Sequence, residues 1–208
     1  MSGLLDLLSS PMGKQIISGV SGSTGQSESA TGNLLSMAMP VLMGAMKKNV
    51  QTPEGAAGLM GALAGKHNGG ILDNLGGLFN GGVDESVQQE GAGILGHLLG
   101  GNQANVENAL SQKSGMDSGA VGQVLKIAAP ILMGVIGKQT QQAGISDSNG
   151  MNALLGGMLG GQPKENQSLI SSLLDSDGDG SILDDIAGMA LGGKAGGIGG
   201  LLGGLFGK

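Results

Sequence analysis

Glycine fills 45 of the 208 positions, and only two residues, Phe79 and Phe206, are aromatic. No feature restricts this chain more. Glycine at about three times the usual ~7% suggests collagen or a linker. Collagen needs glycine at every third position, and no such period is present. A linker or disordered chain would be poorer in apolar residues and richer in proline; here 39% are apolar and 5 are proline. The core must be assembled from Leu, Ile, Val, Ala and 12 Met. Such side chains bury less area per residue than aromatics, which points to modest stability or to help from assembly.

The charged residues narrow the function classes. All 10 basic residues are lysine, and the net charge is −6. Without arginine for bidentate phosphate and base contacts, or aromatics for stacking, the sequence argues against nucleic acid as a partner. Absence of cysteine removes disulfides, thiolate metal sites and a cysteine nucleophile. Met1-Ser2-Gly3-Leu4-Leu5-Asp6 has no basic segment and carries an acid where a signal peptide would be apolar. The most apolar stretches, Leu34 to Met46 and Val124 to Gly137, are shorter than the roughly 20 residues a membrane span needs, and each contains a proline. Cytoplasm is the default location, with non-classical export left open.

An internal repeat organises the chain. Met39-Pro40-Val41-Leu42-Met43-Gly44 recurs as Ala129-Pro130-Ile131-Leu132-Met133-Gly134, an offset of 90 residues that Lys48 and Lys138 also keep. Ala62-Leu63-Ala64-Gly65 then matches Ala153-Leu154-Leu155-Gly156 with one residue of slip. The expected fold is all-α: a Gly-rich multi-helix bundle of two related helical halves, 1–82 and 83–165. A helix-loop-helix at 166–191 and a Gly-rich apolar tail at 192–208 follow. A shorter motif, Asn68 to Leu75, resembles Asp179 to Ile186 and, more weakly, Gly91 to Leu98.

Helices are expected at 2–20, 33–48, 53–65, 71–79, 85–99, 103–113, 118–139, 150–160, 166–174 and 182–191. Thr52-Pro53-Glu54 supplies a cap, a first-position proline and an early acid. Pro40 and Pro130 should kink or divide their helices, because proline removes an internal hydrogen bond. No sustained period-two alternation calls for a strand. Each glycine inside a helix costs roughly 1 kcal/mol against alanine, so glycine faces are expected where helices approach closely.

Several ordered motifs resemble a known family. These are Thr52 to Leu59, His67 to Asp73, Glu90 to His97 and Ala129 to Met133. Together they resemble the bacterial family called domain of unknown function 937, which includes YidB-like proteins, over about Leu34 to Gly188. The resemblance implies a helical bacterial protein and supplies no activity, substrate or catalytic residue.

The sharpest chemical signal is Asp175-Ser176-Asp177-Gly178-Asp179-Gly180-Ser181. Asp175, Asp177 and Asp179 occupy positions 1, 3 and 5 of an EF-hand calcium loop, with Gly180 at 6 and the Ser181 carbonyl at 7. A calcium ion takes 6–8 oxygens, and alternate residues of a tight loop can point inward together. The match breaks at position 12, where Ile186 replaces the bidentate glutamate; Asp184 or Asp185 would have to close the site. The competing reading is an acidic turn and helix cap without metal. Against it, five of the 16 acidic residues lie between Asp175 and Asp185 and repel one another unless a cation compensates. Such a loop should bind weakly, so occupancy would be easier outside the calcium-poor cytosol.

His67 and His97 are the only histidines, and neither has a third metal ligand nearby in sequence. They read as a turn histidine and a helix-face histidine. No Gly-x-Ser-x-Gly turn and no Gly-Lys-Ser/Thr loop is present, so hydrolase and phosphate-loop chemistry are not supported. Met37, Met39, Met43 and Met46 read as core packing rather than a soft-metal box. The expected function is therefore a non-enzymatic structural or interaction protein with one calcium-type loop. Its partner is another protein, with self-association to a homo-oligomer the leading case, and no small-molecule substrate is inferred. The alternative is a membrane-surface protein using Ile198, Leu201, Leu202, Leu205 and Phe206, flanked by Lys194 and Lys208. An enzyme is a distant third.

Overall fold

The computed structural model describes residues 4–160, which are helical throughout apart from short turns, with no strand among them. Ten α-helices follow in order: α1 Leu4–Ser9, α2 Pro11–Thr24, α3 Glu28–Asn49, α4 Pro53–Ala64, α5 Gly70–Asp73, α6 Leu75–Phe79, α7 Glu85–Leu99, α8 Gln103–Ser114, α9 Ser118–Gln142 and α10 Ser148–Leu159. A 3₁₀ turn, Gly100–Asn102, joins α7 to α8. The helix-loop-helix expected at 166–191 and the stretch 192–208 lie outside the described residues.

Local chemistry sets most boundaries. Oxygen side chains of Ser10, Ser27, Thr52, Asp117 and Asp147 accept an N–H in the first turn of α2, α3, α4, α9 and α10. Such caps satisfy donors that a helix start leaves orphaned. Ser10 followed by Pro11 ends the helix expected at 2–20 and opens a second one, by the same device as Thr52-Pro53. The helix expected from 33 begins earlier, at Glu28, because Ser27 caps it. The helix expected at 71–79 is divided by Asn74, whose backbone leaves the helical region and whose side chain caps α6. α2 and α8 both stop at a left-handed glycine, Gly25 (φ 67°) and Gly115 (φ 71°).

The two long helices form the centre. Pro40 and Pro130 do not divide their helices: α3 runs unbroken through 22 residues and α9 through 25. Proline costs one internal hydrogen bond, and burial outweighs it. Every residue from Ile127 to Gly137 is buried. α9 is consequently long and apolar enough to cross a membrane by length and composition, contrary to the sequence expectation. Yet 78% of its apolar window is buried within the body, as in the core helix of a globular fold.

Packing around α9 depends on glycine. Pro130 has no N–H to give the carbonyl four residues earlier, that of Lys126. Gly91 of α7 packs directly on that carbonyl, and a Cβ at Gly91 would fall on the oxygen itself. At the other end of α9, the His67 carbonyl occupies the place a Cβ of Gly137 would take. Glycine faces at close contacts are thus present, but not everywhere: a Cβ at Gly93 or Gly96 of α7 would meet open space.

Some successive helices pack on each other, as α1 and α2, α2 and α3, and α8 and α9 do. α4 instead packs on α9 as well as on α3, and α10 follows α9 but packs on α3. One continuous apolar core results, from Leu8 to Met158. It is complete in a particular sense: from Asp6 to Gly160 every Leu, Ile, Val, Met and Phe is buried or half-buried.

Glycine at positions 91 and 96 should respond in opposite directions to the same change. Gly91→Ala should cost about 1–3 kcal/mol or more by driving a methyl into backbone. Gly96→Ala, on the open face of α7, should add about 1 kcal/mol. Urea unfolding followed by circular dichroism checks both; equal effects would contradict the α7–α9 contact.

Candidate ligand cleft between α4 and α7

The turn after α4 is held at several points. The His67 N–H donates to the Ala62 carbonyl at 3.0 Å, tying the turn to the end of α4. The His67 carbonyl presses on Gly137 of α9. Gly69 takes a left-handed conformation (φ 103°) that brings the chain across Lys138. Lys138 Nζ then donates to Asp73 Oδ1 at 3.1 Å, fastening α5 to α9. Both side chains are solvent-exposed, so this pair fixes position more than it adds stability.

With its backbone held in this way, the His67 side chain is directed inward and is only 8% exposed. It lines a cleft of about 370 Å3 between α4 and α7. α7 presents Glu90, Gly93, Ile94, His97 and Leu98, whose three- and four-residue spacing puts them on one face. α4 contributes Gly58, Leu59 and Ala62 opposite, and Met133 of α9 adds to the apolar lining. His67 Nε2 stands 3.8 Å from Glu90 Oε1, close enough for charge interaction but too far for a hydrogen bond. A Cβ at Gly58 would be 3.9 Å from His97 Nε2, so that imidazole reaches across the mouth from α7 to α4. The exposed Lys66 completes the rim. A second cavity of about 450 Å3, on the Gly61–Ala64 flank of α4, has no ionisable side chain in its lining.

Both histidines thus line one cleft, although the sequence placed them on separate elements with no common role. Among the described residues no three His, Asp or Glu side chains come together as a metal site. The cleft lining has no hydroxyl or thiol. Met39, Met43 and Met46 are fully buried in α3, within the core. The expected metal ligands Asp175, Asp177, Asp179, Ser181, Asp184 and Asp185 all lie outside the described residues.

Burial holds the His67 imidazole below its ordinary pKa; Glu90 opposes this and Lys66 reinforces it. The unfolded chain therefore takes up this proton first as pH falls. The neutral-His67 contribution to stability is complete above about pH 6.5 and is lost progressively as pH falls toward the folded-state pKa. Urea midpoints measured from about pH 7.5 down to about pH 5 should fall, and His67→Gln should flatten that part of the profile. An unchanged profile in the variant would show that this imidazole is not the group titrating.

No curated protein and no solved structure matches the chain. A family model does, over residues 6–139 and 141–208, and its description is a bacterial protein of unknown function. That coverage takes in all four motif segments read from the sequence as well as the acidic loop. The chain belongs to this bacterial family of unknown function, DUF937.

Proposed function

We propose that this chain is a non-enzymatic interaction protein that self-associates through residues 192–208. The observation that carries this reading is the saturation of the helical body. With every large apolar side chain from Asp6 to Gly160 at least half-buried, the body offers no broad apolar face. The C-terminal stretch supplies further apolar residues that could meet a partner, Ile198, Leu201, Leu202, Leu205 and Phe206. Cytoplasm stays the default location of this reading.

Two finer elements belong to the same proposal. The first is a body of two related halves. Gly25 and Gly115, and Ser27 and Asp117, end and begin equivalent helices at the 90-residue offset that separates Pro40 from Pro130. The exchange of α4 and α10 between the central helices fits a duplicated unit packed against its copy. The second is a calcium ion held by Asp175, Asp177, Asp179, the Ser181 carbonyl and Asp184 or Asp185.

Light scattering on the full chain tests self-association. The expected particle is a multiple of 20.3 kDa that reverts to monomer when Leu201, Leu202, Leu205 and Phe206 are replaced together by serine. A wild-type monomer at every concentration would end this reading. If that monomer floated with lipid vesicles and the serine variant did not, the membrane-surface alternative would take its place.

Calorimetric titration of chelator-treated protein tests the acidic loop. Saturable calcium uptake, lost in Asp177→Ala/Asp179→Ala, is expected. Absence of uptake at millimolar calcium would reduce the loop to a helix cap.

A further inference from the structure

The cleft between α4 and α7 combines features that the interaction reading leaves unused. Its apolar surface comes from Leu59, Ile94, Leu98 and Met133. The ionisable groups divide into two sets. His67 and Glu90 form one set, with side chains 8% and 33% exposed. Lys66 and His97, both exposed, form the other at the rim. The opposing walls carry glycine at 58 and 93, which leaves the mouth open.

Each set fits a different charge. His67 Nε2 and Glu90 Oε1 are 3.8 Å apart, and no other described residue supplies a hydrogen bond to the His67 ring. A donor seated between ring and carboxylate would bond to both. An ammonium group carries three donors and a charge complementary to Glu90. Lys66 offers positive charge, and His97 a ring N–H, for a carboxylate at the rim. The apolar lining of Leu59, Ile94, Leu98 and Met133 in the same cleft suits an aliphatic body. We propose that this cleft binds a small zwitterion with an apolar body, the chemical class of apolar amino acids and short apolar peptides. The ammonium sits at His67 and Glu90, the carboxylate at Lys66 and His97, and the aliphatic groups against Leu59, Ile94, Leu98 and Met133. The volume of about 370 Å3 falls in the range of small-molecule sites and favours a dipeptide over a single amino acid.

The test uses the full chain and three probes: the dipeptide leucyl-leucine, octanoate, which lacks the ammonium, and octylamine, which lacks the carboxylate. Calorimetry near neutral pH should show saturable binding of leucyl-leucine, at least tenfold tighter than either single-charge probe. Glu90→Gln and Lys66→Met should each weaken the dipeptide by about tenfold, a loss of one charge-assisted contact. Gly93→Leu should abolish binding by filling the mouth. A Cβ at this helical position meets no heavy atom within 4 Å, so the variant should keep or raise its unfolding temperature. Three results would each overturn the proposal: no saturation by leucyl-leucine at millimolar concentration; octanoate or octylamine binding as tightly as the dipeptide; or undiminished dipeptide binding by a folded Gly93→Leu protein. None of these readouts depends on residues 192–208, so the cleft and self-association stand or fall separately.

Discussion

The fit of backbone against backbone along α9 is the contact on which the rest of the body depends. With almost no aromatic side chains, the chain cannot bridge wide gaps between helices with large rings. It closes the gaps instead. Gly91 brings α7 onto the Lys126 carbonyl, and Gly137 admits the His67 carbonyl. Close approach restores the dispersion contacts that small side chains would otherwise forfeit. It also explains why Pro130 is tolerated in the middle of a buried helix. The carbonyl that loses its helical donor lies under α7, where the Gly91 backbone packs upon it.

Much of the architecture was legible because caps are local. Thr52-Pro53 and Asp117-Ser118 marked helix starts that the structure keeps. Ser10-Pro11 carried the same signal and went unread, so two helices were taken as one. The division expected at the prolines did not occur for a different reason. Their cost is local, roughly one hydrogen bond and some strain, while the burial that outweighs it comes from helices distant in sequence. A reading confined to the neighbourhood of Pro40 or Pro130 sees only the cost.

The cleft was hardly legible at all. Glu90, Ile94 and His97 share a helical face, which spacing could reveal. His67 joins them only because Gly69 turns left-handed, Gly137 lacks a side chain and Lys138 holds Asp73. Gly69 and Asp73 lie far in sequence from Gly137 and Lys138, 65 residues separating Asp73 from Lys138, so no local reading joins them. The acidic loop shows the opposite pattern: its chemistry is written in consecutive residues, and it lies outside the described body.

The exchange of α4 and α10 between the central helices has a consequence for synthesis. α3 leaves the ribosome early, yet one of its covers, α10, begins at Ser148, 99 residues after α3 ends at Asn49. α4 packs on α3 but gains its contact with α9 only later. No N-terminal portion of the body can complete its core while the rest is still being made. The nascent chain must therefore carry one of its most apolar helices incompletely covered through much of translation, a state that invites chaperone binding and makes this fold an all-or-nothing product of the finished body.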